Sequence, residues 1–441
     1  MTRLSAMEVA TETPTAPGHE QAHRRRDTLP ALTGLRFIAA LLVVLFHYQF
    51  LVPGLSQSTA PGARVIQAGF VGVSIFFVLS GFILAYTYLD SDGMMRTTVA
   101  AFWHARFARI YPAYALALAL ALPIFIDVAV IRPVGVIHLS DFIKATVLTP
   151  TLLQAWTPKK AWMWDGPAWS LSVEAFFYAL FPFIAVAIAR RPLRQIVAIG
   201  CFAAICAIAG PSVYALTIPS GIWRVTTATY GPWVATLKFL PLFHLPEFVI
   251  GICTGTIFIH RHNADSKRDS FAWITLLVTA AVAGILAVSD HIPFLFLQDG
   301  ALALPFAALI YCLALQRGLL ARALSTRAAQ LLGGASYSLY LLHLPLGTYL
   351  TISGKLLGFA WLSGWVGVAV YVTIAIGAAL TVFVLIEEPS RRWLRARYEA
   401  KVLRSPPRAG LHPAIVYAVA LAKSTSVREV LSHRYGKATL G

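Results

Sequence analysis

Ten stretches of mostly apolar residues recur along this 441-residue chain, separated by short polar loops. A run of about 20 residues rises roughly 30 Å as an α-helix, enough to cross the hydrocarbon core of a bilayer. Lipid offers no partners to backbone N–H and C=O groups, so runs of this kind fold as helices that bond within themselves. The expectation is an all-α polytopic membrane bundle of about ten transmembrane helices, at 32–51, 70–89, 110–126, 167–189, 195–216, 237–259, 271–289, 300–315, 331–351 and 364–386. Composition agrees: with 58% hydrophobic and only 12% charged residues, the chain has too few charges to clothe a water-soluble surface.

The formal net charge of +17 is spread over loops that flank the spans, without a nucleic-acid recognition fold, so no nucleic-acid partner is expected. The positive-inside rule accounts for it. With "HRRRD" cytoplasmic, the rule also places "HRHNADSKRD", Arg317, Arg322, Arg327 and "EEPSRRWLRARYEAK" inside, and both termini with them. Arg132, Lys144, Lys159 and Lys160, in the outer segment between the third and fourth spans, run against it. That segment contains "FIKATVLTPTLLQAW", too short to cross, which reads as a re-entrant or interfacial helix beside Trp156, Trp162, Trp164 and Trp169. The chain divides into a polar tail at 1–30, a transmembrane domain at 31–397 and a basic tail at 398–441. Membrane lipids are partners throughout, and the location expected is a bacterial inner membrane.

Charged residues inside the spans carry the functional information, because ionisable groups at membrane depth are costly and usually face a bundle interior or a wet cavity. In "GLRFIAALLVVLFH", Arg36 and His47 lie eleven positions apart, on one helix face and about 16 Å apart in rise. "RFARIYPAY" puts Arg106 and Arg109 on one face at the depth of Arg36, and "WSLSVEAFFYALFP" buries Glu174 with Ser170 one turn before it. "GGASYSLYLLHLPLG" carries His343 mid-membrane with Tyr337 and Tyr340 close by. The plain alternatives are an arginine that snorkels to headgroups, histidines that tie helices together, and a carboxylate paired for packing. The four cysteines lie in apolar runs and no His/Cys spacing suits a metal, His260 and His262 included, so no metal is expected.

Two layers follow from this spacing: arginines (Arg36, Arg106, Arg109) at the cytosolic end, and His47, Glu174 and His343 near mid-bilayer. A donor with a phosphate-rich head and a long narrow arm fits such a layout, its oxyanions on guanidinium forks and its reactive end at an imidazole base. Acyl-CoA has that shape.

The motifs "GLRFIAALLVVLFH", "GFVGVSIFFVLSGFIL", "RFARIYPAY", "WSLSVEAFFYALFP", "LGGASYSLYLLHLPL" and "IEEPSRR" stand in an order that resembles the membrane-bound acyltransferase 3 family of O-acyltransferases. The resemblance implies transfer of an acyl group, often acetyl from acetyl-CoA, to a hydroxyl of a carbohydrate such as an envelope polysaccharide or its lipid-linked precursor. It places the family's Arg-ten-residues-His pattern on Arg36 and His47, its Arg-x-x-Arg pattern on Arg106 and Arg109, and its motif glutamate on Glu174. Members often have a second acid where this chain has Ala175 and an Asp where it has Ser74, so no role for those carboxylates carries over. The hydrolase-like domain fused to some members is not seen, which makes a separate extracytoplasmic transferase, or a second copy of the chain, a possible partner.

The assignment expected is therefore His47 as general base, Glu174 orienting it, Arg36, Arg106 and Arg109 on the CoA phosphates, and His343, Ser170 and Tyr337 at the acceptor. Two other readings stay open: acylation of a diffusible secondary metabolite, and a proton-coupled transporter. Against the transporter stand the lack of repeated halves and of Gly/Pro-broken spans in matching positions.

Overall fold

A computed structural model describes residues 28–131, 139–229, 231–262, 271–359 and 363–404. The N-terminal tail, except its last few residues, and the apolar patch "AIVYAVALA" of the C-terminal tail lie outside them. The described residues are helical, without a β-strand beyond an isolated bridge between Leu89 and Met95. The main helices are α1 (Pro30–Tyr48), α2 (Gly72–Tyr88), α3 (Val99–Ile126), α4 (Leu139–Leu148), α5 (Trp169–Ala189), α6 (Leu193–Thr217), α7 (Pro241–His262), α8 (Phe271–Ala287), α9 (Ala303–Ala314), α10 (Arg327–Leu356), α11 (Gly364–Val382) and α12 (Glu388–Arg404).

Every predicted span is a helix, and α4 is the short helix expected in the longest loop. Among the described residues, eight helical segments are long and apolar enough to cross a membrane. The other two expected spans are α8, which is apolar but shorter, and α10, thirty residues long and more polar because it carries Ser336, Ser338 and His343. Of the boundaries that differ from expectation, two bear on the site. Helix α3 begins eleven residues early, where Thr98 accepts a hydrogen bond from the Ala101 amide and so caps a helix that already contains Arg106 and Arg109. After α11 the chain passes through one π-helical turn, Phe383–Glu387, and "EEPSRRWLRARYEAK" continues as α12, with Pro389 tolerated in its first turn.

Small residues let the central helices approach closely, which is how packing is gained where lipid supplies no hydrophobic drive. Helix α2 crosses α7 at Gly81 and Gly251: a Cβ on Gly81 would lie 2.2 Å from the Phe248 carbonyl oxygen, and one on Gly251 2.1 Å from that of Val78. Helix α1 meets α10 where a Cβ on Gly333 would lie 2.0 Å from the Thr33 carbonyl oxygen. Helix α1 also meets α2 at Gly72, where an added Cβ would press on the Ala39 carbonyl oxygen, so these crossings hold α1, α2 and α10 side by side. Their shared interior is where the polar residues collect.

Candidate active site

Two cavities open within the bundle. The first, about 110 Å³, is lined by Arg36 of α1, Ser80 of α2, Arg106 and Arg109 of α3, Ser170, Glu174 and Tyr178 of α5, and Tyr337 and Tyr340 of α10. The second, about 390 Å³, is lined by His47, by Phe46, Phe50, Phe70, Trp162, Trp169, Phe239 and Phe294, and by Gln49, Gln298, Lys238 and Tyr340. Val73 and Tyr340 line both. The Tyr340 hydroxyl lies 2.8 Å from Ser170 Oγ and donates to the Pro167 carbonyl at 3.0 Å, with Phe76 edge-on to its ring. Tyr340 is thus the partition between an arginine cavity and a histidine cavity.

The three expected arginines do share one cavity, but not one state. Arg109 pairs with the fully buried Glu387, whose second oxygen accepts from Ser338 Oγ at 2.7 Å, and lies over the Tyr337 ring. Arg106 donates to the Tyr88 hydroxyl at 2.8 Å and sits against the Tyr88 and Tyr178 rings, its Nε buried without a partner. Arg36 makes no hydrogen bond or ion pair to another described residue, although Glu174 and Tyr178 lie within its electrostatic reach. Two of the three guanidiniums therefore keep donors for an anion, while Arg109 chiefly anchors the turn before α12.

Glu174 is not beside His47. It accepts from the Tyr178 hydroxyl and from Ser80 Oγ at 3.4 Å, on the arginine side of Tyr340. The depth expected for it counted turns from an outer boundary set at the start of α5, but that start is covered by protein: Gly166, Pro167, Ala168 and Trp169 are all buried. Ser170 and Tyr337, expected at the acceptor, line the arginine cavity too.

The partner of His47 is His343. His47 Nδ1 lies 2.8 Å from the Val43 carbonyl oxygen and 3.2 Å from His343 Nε2, and His343 Nδ1 lies 2.7 Å from the Tyr340 carbonyl oxygen. Carbonyls only accept, so both Nδ1 atoms carry protons and His343 Nε2 is left to accept from His47. His47 Nε2 then keeps its lone pair. The imidazole sits in a wall of rings, stacked at 6.0 Å on Trp162 and edge-on to Phe46, while Tyr48 donates to the His343 carbonyl at 2.6 Å and locks α1 to α10. His343, expected at the acceptor, is fully buried and lines neither cavity; the polar side chain it meets is that of His47.

Two residues with parts in this arrangement had no role assigned from the sequence, although Tyr340 was noted near His343. Tyr340 lies one helical turn before His343, the spacing that puts both on one face. Lys238, 3% exposed, donates from Nζ to the carbonyls of Thr226, Thr227 and Thr229 at 2.9, 2.8 and 2.8 Å, and so holds the loop that carries Thr227 and Ala228 over the histidine cavity. A lysine inside an apolar run was the available signal. Among the described residues there is no cluster of three or more His, Cys, Asp or Glu able to hold a metal.

Comparison with known proteins gives a consistent picture. The acyltransferase domain of the acyltransferase 3 family matches residues 29–387. The chain is 30% identical over 390 residues to acyltransferase MdmB of Streptomyces mycarofaciens, covering 84% of this chain and 93% of that one. It is 27% identical over 353 residues to the putative peptidoglycan O-acetyltransferase YrhL of Bacillus subtilis, covering 74% of this chain and 49% of the relative. A shorter match, 35% over 89 residues, joins 20% of the chain to 12% of the peptidoglycan O-acetyltransferase OatA of Listeria monocytogenes. No solved structure matches it significantly.

Proposed function

The chain belongs to the acyltransferase 3 family, and from that premise we propose that it is a bacterial inner-membrane O-acyltransferase that moves an acetyl group from acetyl-CoA to a hydroxyl of a carbohydrate. The observation that carries the reading is the pair of cavities meeting at Tyr340, one with free guanidinium donors and one with an unprotonated imidazole nitrogen.

In this reading the arginine cavity faces the cytosol. Arg36 and Arg106 hold the anionic head of the donor, and the pantetheine arm runs past Tyr340, whose side chain must turn aside, toward His47. The acceptor hydroxyl gives its proton to His47 Nε2 as its oxygen attacks the thioester carbonyl carbon. The positive charge that forms on the ring is met through Nδ1–H by the Val43 carbonyl and His343 Nε2, the place a carboxylate takes in hydrolytic triads. When the tetrahedral intermediate collapses, the C–S bond breaks and the CoA sulfur leaves with the proton that His47 returns. Transfer is complete without any further reactant.

The rings around the histidine cavity suit the apolar faces of a sugar, and its lining contains no carboxylate. The same lining also suits a diffusible hydroxylated metabolite, which is the second reading. Inside-out membrane vesicles given acetyl-labelled acetyl-CoA test the proposal. Label should leave CoA in the wild type and stay on it in His47→Ala; label found on glycan favours the first acceptor, and label found on an added small molecule favours the second. No donor consumption with native lipids present, by wild type given acetyl or longer acyl-CoA, would end the reading.

A further inference from the structure

Helix α12 carries basic residues that the two-cavity site leaves unused. It docks on α3 at two points. Glu387, just before its start, pairs with Arg109, and about three turns later Tyr398 stacks on His104 with ring centroids 4.4 Å apart. Positions 391, 395 and 398 follow the i, i+4, i+7 spacing of one helix face, so Arg391 and Arg395 lie on the face turned to α3, between those two contacts. On the α3 side that interval contains Arg106. The charge of Arg391 acts on Arg36 and Arg106, and that of Arg395 on Arg106.

Four guanidiniums thus gather at one end of the bundle with few acids to balance them. Glu387 is committed to Arg109 and Ser338, Glu388 is shared by Arg391 and Arg392, and Glu174 is the one carboxylate lining the cavity to offset Arg36 and Arg106. Arg395 is exposed and makes no salt bridge among the described residues. Arg36 has no hydrogen-bonding partner there and Arg106 keeps a buried Nε unpaired. Like charges this close repel, and unpaired buried donors cost free energy, so the arrangement is that of a receptor for a polyanion. The graded exposure, from Arg36 inside the cavity to Arg395 in the open, marks a path from solvent inward.

We propose that Arg391 and Arg395 of α12 complete the phosphate site begun by Arg36 and Arg106, and that together they bind the phosphates of a nucleotide, the head of the acyl-CoA donor, at the mouth of the arginine cavity. This deepens the donor assignment of the proposed function and rests on it. Arginine forks hold phosphate oxygens two at a time, and α12, pinned at both ends to α3, presents them at fixed spacing. A lipid headgroup phosphate offers the same chemistry and is the competing source.

The test uses the full-length protein in zwitterionic-lipid nanodiscs. Binding of CoA and of adenosine 3′,5′-bisphosphate is measured by calorimetry for wild type, Arg395→Gln and Arg391→Gln/Arg395→Gln. Each arginine lost should weaken Kd for both probes by about tenfold, and added salt should weaken the wild type. The KM for S-acetylpantetheine, which lacks the nucleotide, should not move. Arg395→Gln keeps the test open if the double variant does not fold, because Arg395 is exposed and makes no salt bridge. Unchanged probe binding in folded variants overturns the proposal, as does a wild type that binds neither probe. So does a variant that binds CoA normally yet loses only the stabilisation given by anionic phosphatidylglycerol, since the arginines would then hold headgroups. A wild type that binds CoA by these arginines but never consumes acetyl-CoA leaves this site standing and removes the transferase reading; acetyl transfer with unaltered variants does the reverse.

Discussion

His47 and His343, 296 positions apart, place Nδ1 and Nε2 3.2 Å from each other across the contact between α1 and α10. The direction of that hydrogen bond leaves His47 Nε2 free to take a proton. His47→Ala should therefore lower kcat by about 10²–10⁴-fold, the usual contribution of a positioned general base, with donor KM little changed. His343→Leu should lower kcat less, because it removes one of the two acceptors of His47 Nδ1–H and leaves the Val43 carbonyl in place. His343→Gln, whose amide oxygen can accept in its place, should recover part of that loss. Acetyl transfer rates for the three variants check the order, and a Gln variant no better than Leu would deny His343 its positioning role.

Glu174 belongs with the arginines. It interacts with Tyr178, Ser80 and the charges of Arg36 and Arg106, and it touches no histidine. Glu174→Gln should alter KM for acetyl-CoA, because a negative charge leaves the cavity that receives an anion, and its kcat should stay well above that of His47→Ala. A kcat as low as that of His47→Ala, at unchanged KM, would return Glu174 to the base.

The division between what could be read in advance and what could not follows from range. Apolar runs and helix periodicity are local, so a helix at each of the ten expected positions and the common face of Arg106 and Arg109 were legible. Depth is not local. Glu174 was expected level with His47 but lies in the arginine cavity, because α5 begins beneath a covering segment with Trp162 against Gly166, and the length of an apolar run says nothing of such cover. Pairings across the bundle are not local either. Nothing near His47 points to His343 as its partner, and nothing near Arg109 points to Glu387, although both partners stand within motifs that were recognised.

The Arg109 and Glu387 pair ties α3 to the turn before α12 with both side chains largely out of solvent. Removing one member leaves a buried charge alone, which costs about 3–5 kcal/mol, whereas replacing both with apolar groups costs much less. Glu387→Gln and Arg109→Met should each lower the unfolding temperature in detergent sharply, and Arg109→Met/Glu387→Leu should lower it by less than the sum. Strict additivity would show that the pair is not coupled.

The crossing of α2 and α7 at Gly81 and Gly251 leaves no room for a methyl group, since the obstructing atoms are backbone carbonyl oxygens that no side-chain rotation can clear. Gly81→Ala should force the helices apart and destabilise the fold by about 1–3 kcal/mol or more, in the range of overpacked cores. Gly284→Ala, where an added Cβ meets nothing within 4 Å, is the control and should be neutral or mildly stabilising. Equal unfolding temperatures for the two variants would contradict the close crossing.

Asp165, just ahead of α5, is 3% exposed and neither of its carboxylate oxygens has a hydrogen-bond partner. Burial pushes its carboxyl well above the usual range. An acid whose pKa is higher folded than unfolded holds a proton in the native state that the unfolded chain has already released. That difference costs stability as pH rises above the unfolded value of about 3.9. Asp165→Asn keeps the shape and abolishes the titration. It should raise the unfolding temperature at pH 7, and the gain should shrink as pH is lowered toward 4, where wild-type Asp165 is neutral in both states. Unfolding temperatures of the two proteins across that interval measure it, and a gain that does not vary with pH would mean that the Asp165 proton is not the cause.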